Sequence, residues 1–279
     1  MKTGIFSTVI IILLALNGWA QCGTDEIHEL LMKTDSAYRK QMISHEQQIQ
    51  LILENQLLQK TGPSTLSTIY TIPVVVHVIH LGEAIGTGTN ISDNRIQEAI
   101  QGLNDRFRNY IGNGVDTEIQ FCLASKNPSG NPTNGINRVN GSGISSYSSN
   151  GIYHITSNPT GASDTAVKNL SRWSTSDYYN IWVVNSIGTA AGYASYPNGN
   201  TYDGTVIDNS YISGGNNTLA HEIGHGFYLY HTFEGDVDGS ICPSNLLSCS
   251  LFGDKVCDTP PHKRGDCGST NPCTADGIW

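Results

Sequence analysis

The sequence predicts an α/β (α+β) domain preceded by a separate helical segment, and three observations lead there. Ile72-Pro73-Val74-Val75-Val76-His77-Val78-Ile79 is a nearly continuous β-branched run, the pattern of a strand covered on both faces in a parallel sheet. An amphipathic helix follows, with Ile96, Ala99, Ile100, Leu103 and Phe107 on one face and Arg95, Glu98, Asp105 and Arg106 largely elsewhere; a second strand from Glu118 to Ala124 then completes a βαβ start. Ahead of both, the sequence from Asp25 to Leu58 is rich in Glu, Gln, Leu, Ile and Met, with helical spacing at Ile49, Ile52, Leu53 and Leu57.

From the N-terminus, Lys2, an apolar run from Ile5 to Leu16 and then Gly18-Trp19-Ala20 read as a signal peptide over residues 1–20, cut before Gln21. A lipid anchor on Cys22 is the competing reading, but Gln21 is a poor residue to precede a lipidated cysteine. No second apolar stretch has the length of a spanning helix, so the expectation is a secreted protein, extracellular or periplasmic, with no membrane anchoring. Residues 21–68 form the helical segment, which stops at Thr61-Gly62-Pro63-Ser64. One further domain, 69–279, fits the chain length of 279 residues.

Within that domain, residues 126–165 are dominated by Asn, Ser, Gly, Pro and Thr and read as an excursion over the surface. A short helix from Ala166 to Trp173, a strand from Asn180 to Val184, a short strand from Gly192 to Tyr196 and another from Thr205 to Asp208 complete the elements. Pro197 favours an edge position for the third of these. The net charge of −9 leaves no basic patch for nucleic acid. Of seven cysteines, Cys242, Cys249, Cys257, Cys267 and Cys273 crowd the C-terminal stretch without paired C-x2-C spacing, which in an exported chain reads as disulfides.

The chemistry is concentrated in Thr218-Leu219-Ala220-His221-Glu222-Ile223-Gly224-His225. Two imidazoles four residues apart share one helix face and reach one metal ion, and Glu222 beside the first ligand suits a general base. The spacing suits zinc, which lowers the pKa of a bound water to about 7. His231 supplies the third ligand only if the chain bends, because on a continuous helix it would point about 80° off the ligand face and lie about 9 Å beyond His225. Gly226 is placed to loosen the helix there. A shuffled chain of this composition shows H-E-x-x-H with that further His roughly once in three thousand. A surface helix with idle histidines is the bland alternative, disfavoured because Leu219, Ala220 and Ile223 mark the helix as buried.

The run His221-Glu222-Ile223-Gly224-His225-Gly226-Phe227-Tyr228-Leu229-Tyr230-His231-Thr232-Phe233 resembles the zinc motif of the metzincin clan, and its ending resembles the pappalysin-like metallopeptidases. Ile72–His80, Ser92–Asn109, Gly192–Tyr196 and Gly253–Pro261 resemble the same family in order. The resemblance implies a twisted mixed sheet with the zinc helix above it, an edge strand around Tyr193–Tyr196 that pairs with peptide substrate, and a structural calcium site at Asp254, Asp258 and Thr259. A turn capped by Asp and Pro is the alternative at those three residues. Cys22-Gly23-Thr24 resembles the start of a family prosegment whose thiolate blocks the zinc, with pairing to Cys122 or another cysteine as the alternative, and Lys60 is a candidate activation cut. Two departures stand out. Tyr228 occupies a position where the family usually has Gly, which demands a positive φ from a Tyr. No methionine turn precedes Trp279, so the expectation is that the C-terminal part of the domain is missing.

The leading expectation is therefore a zinc-dependent endopeptidase made as a latent precursor and acting on a peptide or protein. A catalytically inactive domain that binds zinc or peptide is the alternative, and a gluzincin whose third ligand is a Glu is a weaker one.

Overall fold

The computed structural model describes residues 21–59, 68–112, 114–237, 239–243, 253–257, 259–264 and 273–274. Residues 1–20, expected to be a signal peptide, the expected stop at Thr61–Ser64 and Lys60 lie outside the described residues. Along the chain the elements are β1 (Gln21–Cys22), α1 (Thr24–Thr34), α2 (Ser36–Gln59), β2 (Tyr70–His80), α3 (Asp93–Phe107), β3 (Ile119–Leu123), β4 (Ile136–Asn140), α4 (Tyr147–Asn150), α5 (Asp164–Lys168), β5 (Tyr179–Val184), β6 (Ala190–Ala194), β7 (Thr205–Asp208) and α6 (Thr218–Gly226). None of the described helices is long and apolar enough to cross a membrane.

The strands form one mixed sheet in the order β1-β6-β7-β5-β2-β3, with β4 also on β2. β2 is its spine: β5 lies parallel on one side, while β3 flanks its first half and β4 its second half on the other. Only the β6–β7 pairing is antiparallel. Alternation along the strands splits the core in two. Val74, Val76, Val78, Ile181, Val183 and Ile207 pack under α3 and α6, and Ile79, Trp182, Val184 and Val206 face the opposite layer.

That opposite layer is built by residues 126–165, which corrects their reading as a surface excursion. β4 joins the sheet, and Tyr147, Ile152 and Ala162 are buried against Ile79 and Trp182, with the Tyr147 hydroxyl donating to the Ile79 carbonyl at 2.7 Å. The apolar anchors are single residues between Ser-, Gly- and Asn-rich turns, so no periodicity signals them. The helix expected from the spacing of Ile49, Ile52, Leu53 and Leu57 is α2; Ile52 is 55% exposed, and the helix docks through Tyr38 and Met42. The helix expected over Ala166–Trp173 is the shorter α5, started by Ser163, whose hydroxyl accepts from Ala166 N.

The βαβ start holds, and α3 does more than cover the sheet. Ser92 caps it, and Asn104 clamps β3 through the Phe121 backbone at 2.7 and 2.9 Å. Arg95 donates to the carbonyls of Ile212 and Asn209, and Arg106 to Gly214 O and Asn217 Oδ1. These bonds fix the loop from β7 into α6, and so the height of α6 above the sheet.

Candidate metal centre

α6 buries Leu219 and Ile223 in the helix-side core, so its other face turns His221 and His225 into a cleft. The helix then ends in a Schellman turn: Tyr228 N bonds His225 O at 2.9 Å, Leu229 N bonds Gly224 O at 3.0 Å, and Tyr228 takes the left-handed position with φ 71°. The sequence-level demand for a positive φ at this Tyr is met. Gly226 serves differently from the reading that it loosens the helix. It remains helical, and a Cβ there would lie 2.0 Å from the Tyr179 hydroxyl, so the glycine permits close approach of α6 to β5.

The turn brings His231 back to the pair. The three Nε2 atoms of His221, His225 and His231 lie 3.1, 3.2 and 3.2 Å apart. A tetrahedral zinc with Zn–N bonds of about 2.0 Å requires edges of roughly 3.3 Å, so the triangle fits one face of such a site. Proton placement agrees. His225 Nδ1 donates to Leu229 O at 2.7 Å and His231 Nδ1 to Asp25 Oδ2 at 2.8 Å, which leaves the converging Nε2 atoms as lone pairs. Burial, then the neighbouring imidazoles, lowers His221 and His225 to about 4, so both are neutral ligands at pH 7. Phe233 stacks on His231 at 4.6 Å and 9°. A cleft of about 260 Å³ opens beside these residues.

Glu222 is buried under β6, where a Cβ on Gly192 would meet its Cγ at 2.8 Å. Burial raises its carboxyl to about 8 against hydrogen bonds from Cys22 and Thr24 that lower it. Cys22 Sγ stands 3.4 Å from both Glu222 Oε2 and His225 Nε2, and its thiol joins the three histidines in a four-donor cluster. The thiol is raised well above its usual range by burial and then by Glu222. Cys22 and Cys122 are both free, so the alternative of a bond between them is excluded.

The edge expected at Gly192–Tyr196 is β6, shifted two residues and covered: β1 pairs with it in parallel, Gly23 N donating to Gly192 O at 2.9 Å. Thr24 Oγ1 donates to Glu222 Oε2 at 3.2 Å and accepts from Ala194 N at 3.0 Å. The individual roles of Thr24, Asp25, Gly192 and Phe233 were not assigned from sequence. Those of Thr24 and Asp25 depend on contacts between residues some 200 positions apart, although both follow directly on the cysteine that was noticed. Asp254 is buried and accepts from Val256 N at 3.0 Å, as in the turn reading, and Asp258 lies outside the described residues. Cys242 bonds Cys273, and Cys257 is also in a disulfide.

Residues 161–278 match the peptidase M43 family model, described as pregnancy-associated plasma protein-A. An extracellular metalloprotease of Neurospora crassa is 34% identical over 131 residues, which is 42% of each chain. The matches to the first such curated relatives cover less than half of their length. One from Pyricularia oryzae is 25% identical over 91% of this chain and 75% of its own. Among solved structures, a promirolysin point mutant of Tannerella forsythia superposes with a TM-score of 0.64 at 26% identity, covering 93% of this chain and 84% of that one. Mature mirolysin with a cleaved peptide gives a TM-score of 0.54 at 30% identity, over 78% and 82%.

Proposed function

The chain belongs to the pappalysin-like metallopeptidases, and on that premise we propose that it is an exported zinc endopeptidase, made as a latent precursor, with Glu222 as general base. The observation that carries the reading is the triangle of three imidazole Nε2 atoms, with Glu222 beside it across Cys22 Sγ. His221, His225 and His231 would hold the zinc, which when bound polarises a scissile carbonyl and acidifies water. Glu222 takes the proton of the attacking water and passes it to the leaving amine. The β6 backbone at Gly192 and Ala194 is the surface on which an extended peptide would add as a strand. Relatives named as extracellular support the export expected from residues 1–20.

Latency follows from what now occupies those groups. β1 uses the strand-pairing positions of β6, and Thr24 occupies Glu222 and Ala194 N together. Cys22 Sγ lies with the three imidazoles, where it would be a fourth donor to the zinc, and with its thiol raised by burial, a thiolate there needs a cation beside it. Removing residues 21–68 after a cut near Lys60 would uncover all three.

The test is zinc stoichiometry and peptide hydrolysis on the folded chain after that removal, beside Glu222→Ala. One zinc in both with activity only in the parent is expected. Zinc without activity in either would favour the inactive binding domain, and absence of zinc would overturn the reading.

A further inference from the structure

Two carboxylates compete for one imidazole in this site. Asp25, in the first turn of α1, accepts from His231 Nδ1 at 2.8 Å; burial raises its carboxyl, but this bond together with the charges of His231, His225 and Arg264 leaves it below the usual range. Glu234 lies one turn beyond His231, its amide bonded to the His231 carbonyl at 2.9 Å. A Glu234 carboxylate oxygen, a His231 ring nitrogen and an Asp25 carboxylate oxygen all lie within 4.8 Å of one another. Among the described residues no donor reaches the Glu234 side chain. It is partly buried, and its carboxyl is raised by that burial and then by the charge of Asp25, with His231 and Lys255 opposing.

The Glu234 carboxylate, held by no donor among the described residues, is free to take one. Metal-ligating histidines almost always donate their second N–H to a carboxylate, carbonyl or water, and loss of that partner weakens metal affinity by about 10–100-fold. His225 has a permanent acceptor, the Leu229 carbonyl in its own turn. The acceptor for His231 belongs to α1, which leaves with the prosegment on the reading given above.

We propose that Asp25 and Glu234 are alternative positioning residues for the third ligand: Asp25 orients His231 in the precursor, and Glu234 takes over His231 Nδ1 when α1 departs. The handover keeps the metal triangle intact through activation and removes the repulsion between the two carboxylates. On this basis residue 234 must supply an acceptor once residues 21–68 are gone, and its identity matters little before then.

The test is a titration of Zn²⁺ against a chromophoric chelator, using the full chain. Asp25→Ala and Glu234→Ala singly should each change zinc affinity less than about threefold, because the other carboxylate serves. The double variant should lose about 10–100-fold, and Asp25→Ala/Glu234→Gln, which keeps an acceptor, should recover most of that. A second measurement needs no double variant: in the full chain cut between α2 and β2 after folding, Glu234→Ala alone should lose zinc to the same extent. A full loss in uncut Asp25→Ala, a double variant no weaker than the singles, or zinc retention by cut Glu234→Ala would each overturn the handover. Absence of zinc from the unsubstituted chain would overturn the metallopeptidase reading as well.

Discussion

The hydroxyl of Tyr228 donates to the backbone carbonyl of Met42 at 3.2 Å, which ties the one strained residue of the metal turn to helix α2. A non-glycine residue in the left-handed region costs roughly 1 kcal/mol or more. Here the ring returns something for it, packing with Tyr38, Met42 and Tyr196 in a small cluster of its own. Helix α2 therefore braces the turn that delivers His231.

Tyr228→Phe tests that brace without altering the backbone. It removes the bond to Met42 O and the hydroxyl's interactions with Tyr230 and Glu46 while keeping the ring, so the full chain should lose about 1 kcal/mol or more. In a domain of this size that lowers Tm by roughly 2–4 °C. After removal of residues 21–68 the same substitution should lower Tm less, since Met42 and Glu46 are gone. Thermal unfolding of both forms decides it.

Gly226→Ala should cost more than its chemistry suggests. In an exposed helix the change would stabilise by about 1 kcal/mol. Here the new methyl would lie 2.0 Å from the Tyr179 oxygen and 2.9 Å from Cζ, and that ring is held by Thr205 at 2.8 Å and stacked on Phe227 at 9°. Overpacking of this kind costs about 1–3 kcal/mol. The end of α6 must lift, so a lower Tm should come with weaker zinc retention. An unchanged Tm would show that Tyr179 yields.

His77 sets a pH limit far from the metal. Asn180 Oδ1 accepts from both Trp173 N and His77 Nε2 at 2.9 Å, which makes Nε2 the protonated nitrogen and leaves Nδ1 to accept from Asn137 Nδ2 at 3.3 Å. A second ring proton would face that donor. Burial lowers His77 to about 4 against the raising effect of Asn180. A folded pKa below the unfolded value of about 6.5 means that the unfolded chain binds the extra proton first, so stability falls as pH drops from about 6.5 to about 4. The expected loss is about 3 kcal/mol. His221 and His225 titrate over the same range, so the His77 share is the difference between the parent and His77→Gln in urea unfolding at pH 7 and 4.5, where the substitution should remove up to one proton from the slope.

The same residues show what sequence reading can reach. Strand β2, helix α3 and the metal helix were legible because each carries its own periodicity or spacing. Tyr228 was legible as a demand: a third ligand at His231 requires the helix to end, and a left-handed residue follows from that. Thr24 and Asp25 were not, because a carboxylate in the first turn of α1 is equally well explained by the helix dipole until His231 is seen beside it. The layer containing Tyr147 and Ile152 was missed for a related reason. Single anchors between turns carry no period, and only the sheet face they cover gives them meaning.

His154, from that missed layer, yields the most direct test of latency. Its Nε2 donates to Gly23 O at 2.8 Å, pinning β1 beside the metal residues. A Cβ on residue 23 would lie 2.3 Å from that nitrogen and within 3.0 Å of two ring carbons. Since the buried imidazole has little room to retreat, β1 must move instead and carry Cys22 from His221, His225 and His231. Gly23→Ala should therefore raise the rate of Cys22 alkylation in the uncut chain by tenfold or more, equivalent to a shift of about 1.4 kcal/mol in the closed state. Adding His154→Ala makes room for the methyl, and the double variant should react more slowly than Gly23→Ala alone. If both alkylate at the parent rate, β1 is held by Cys22 and Thr24 without help from His154, and the pin between Gly23 and His154 has no part in latency.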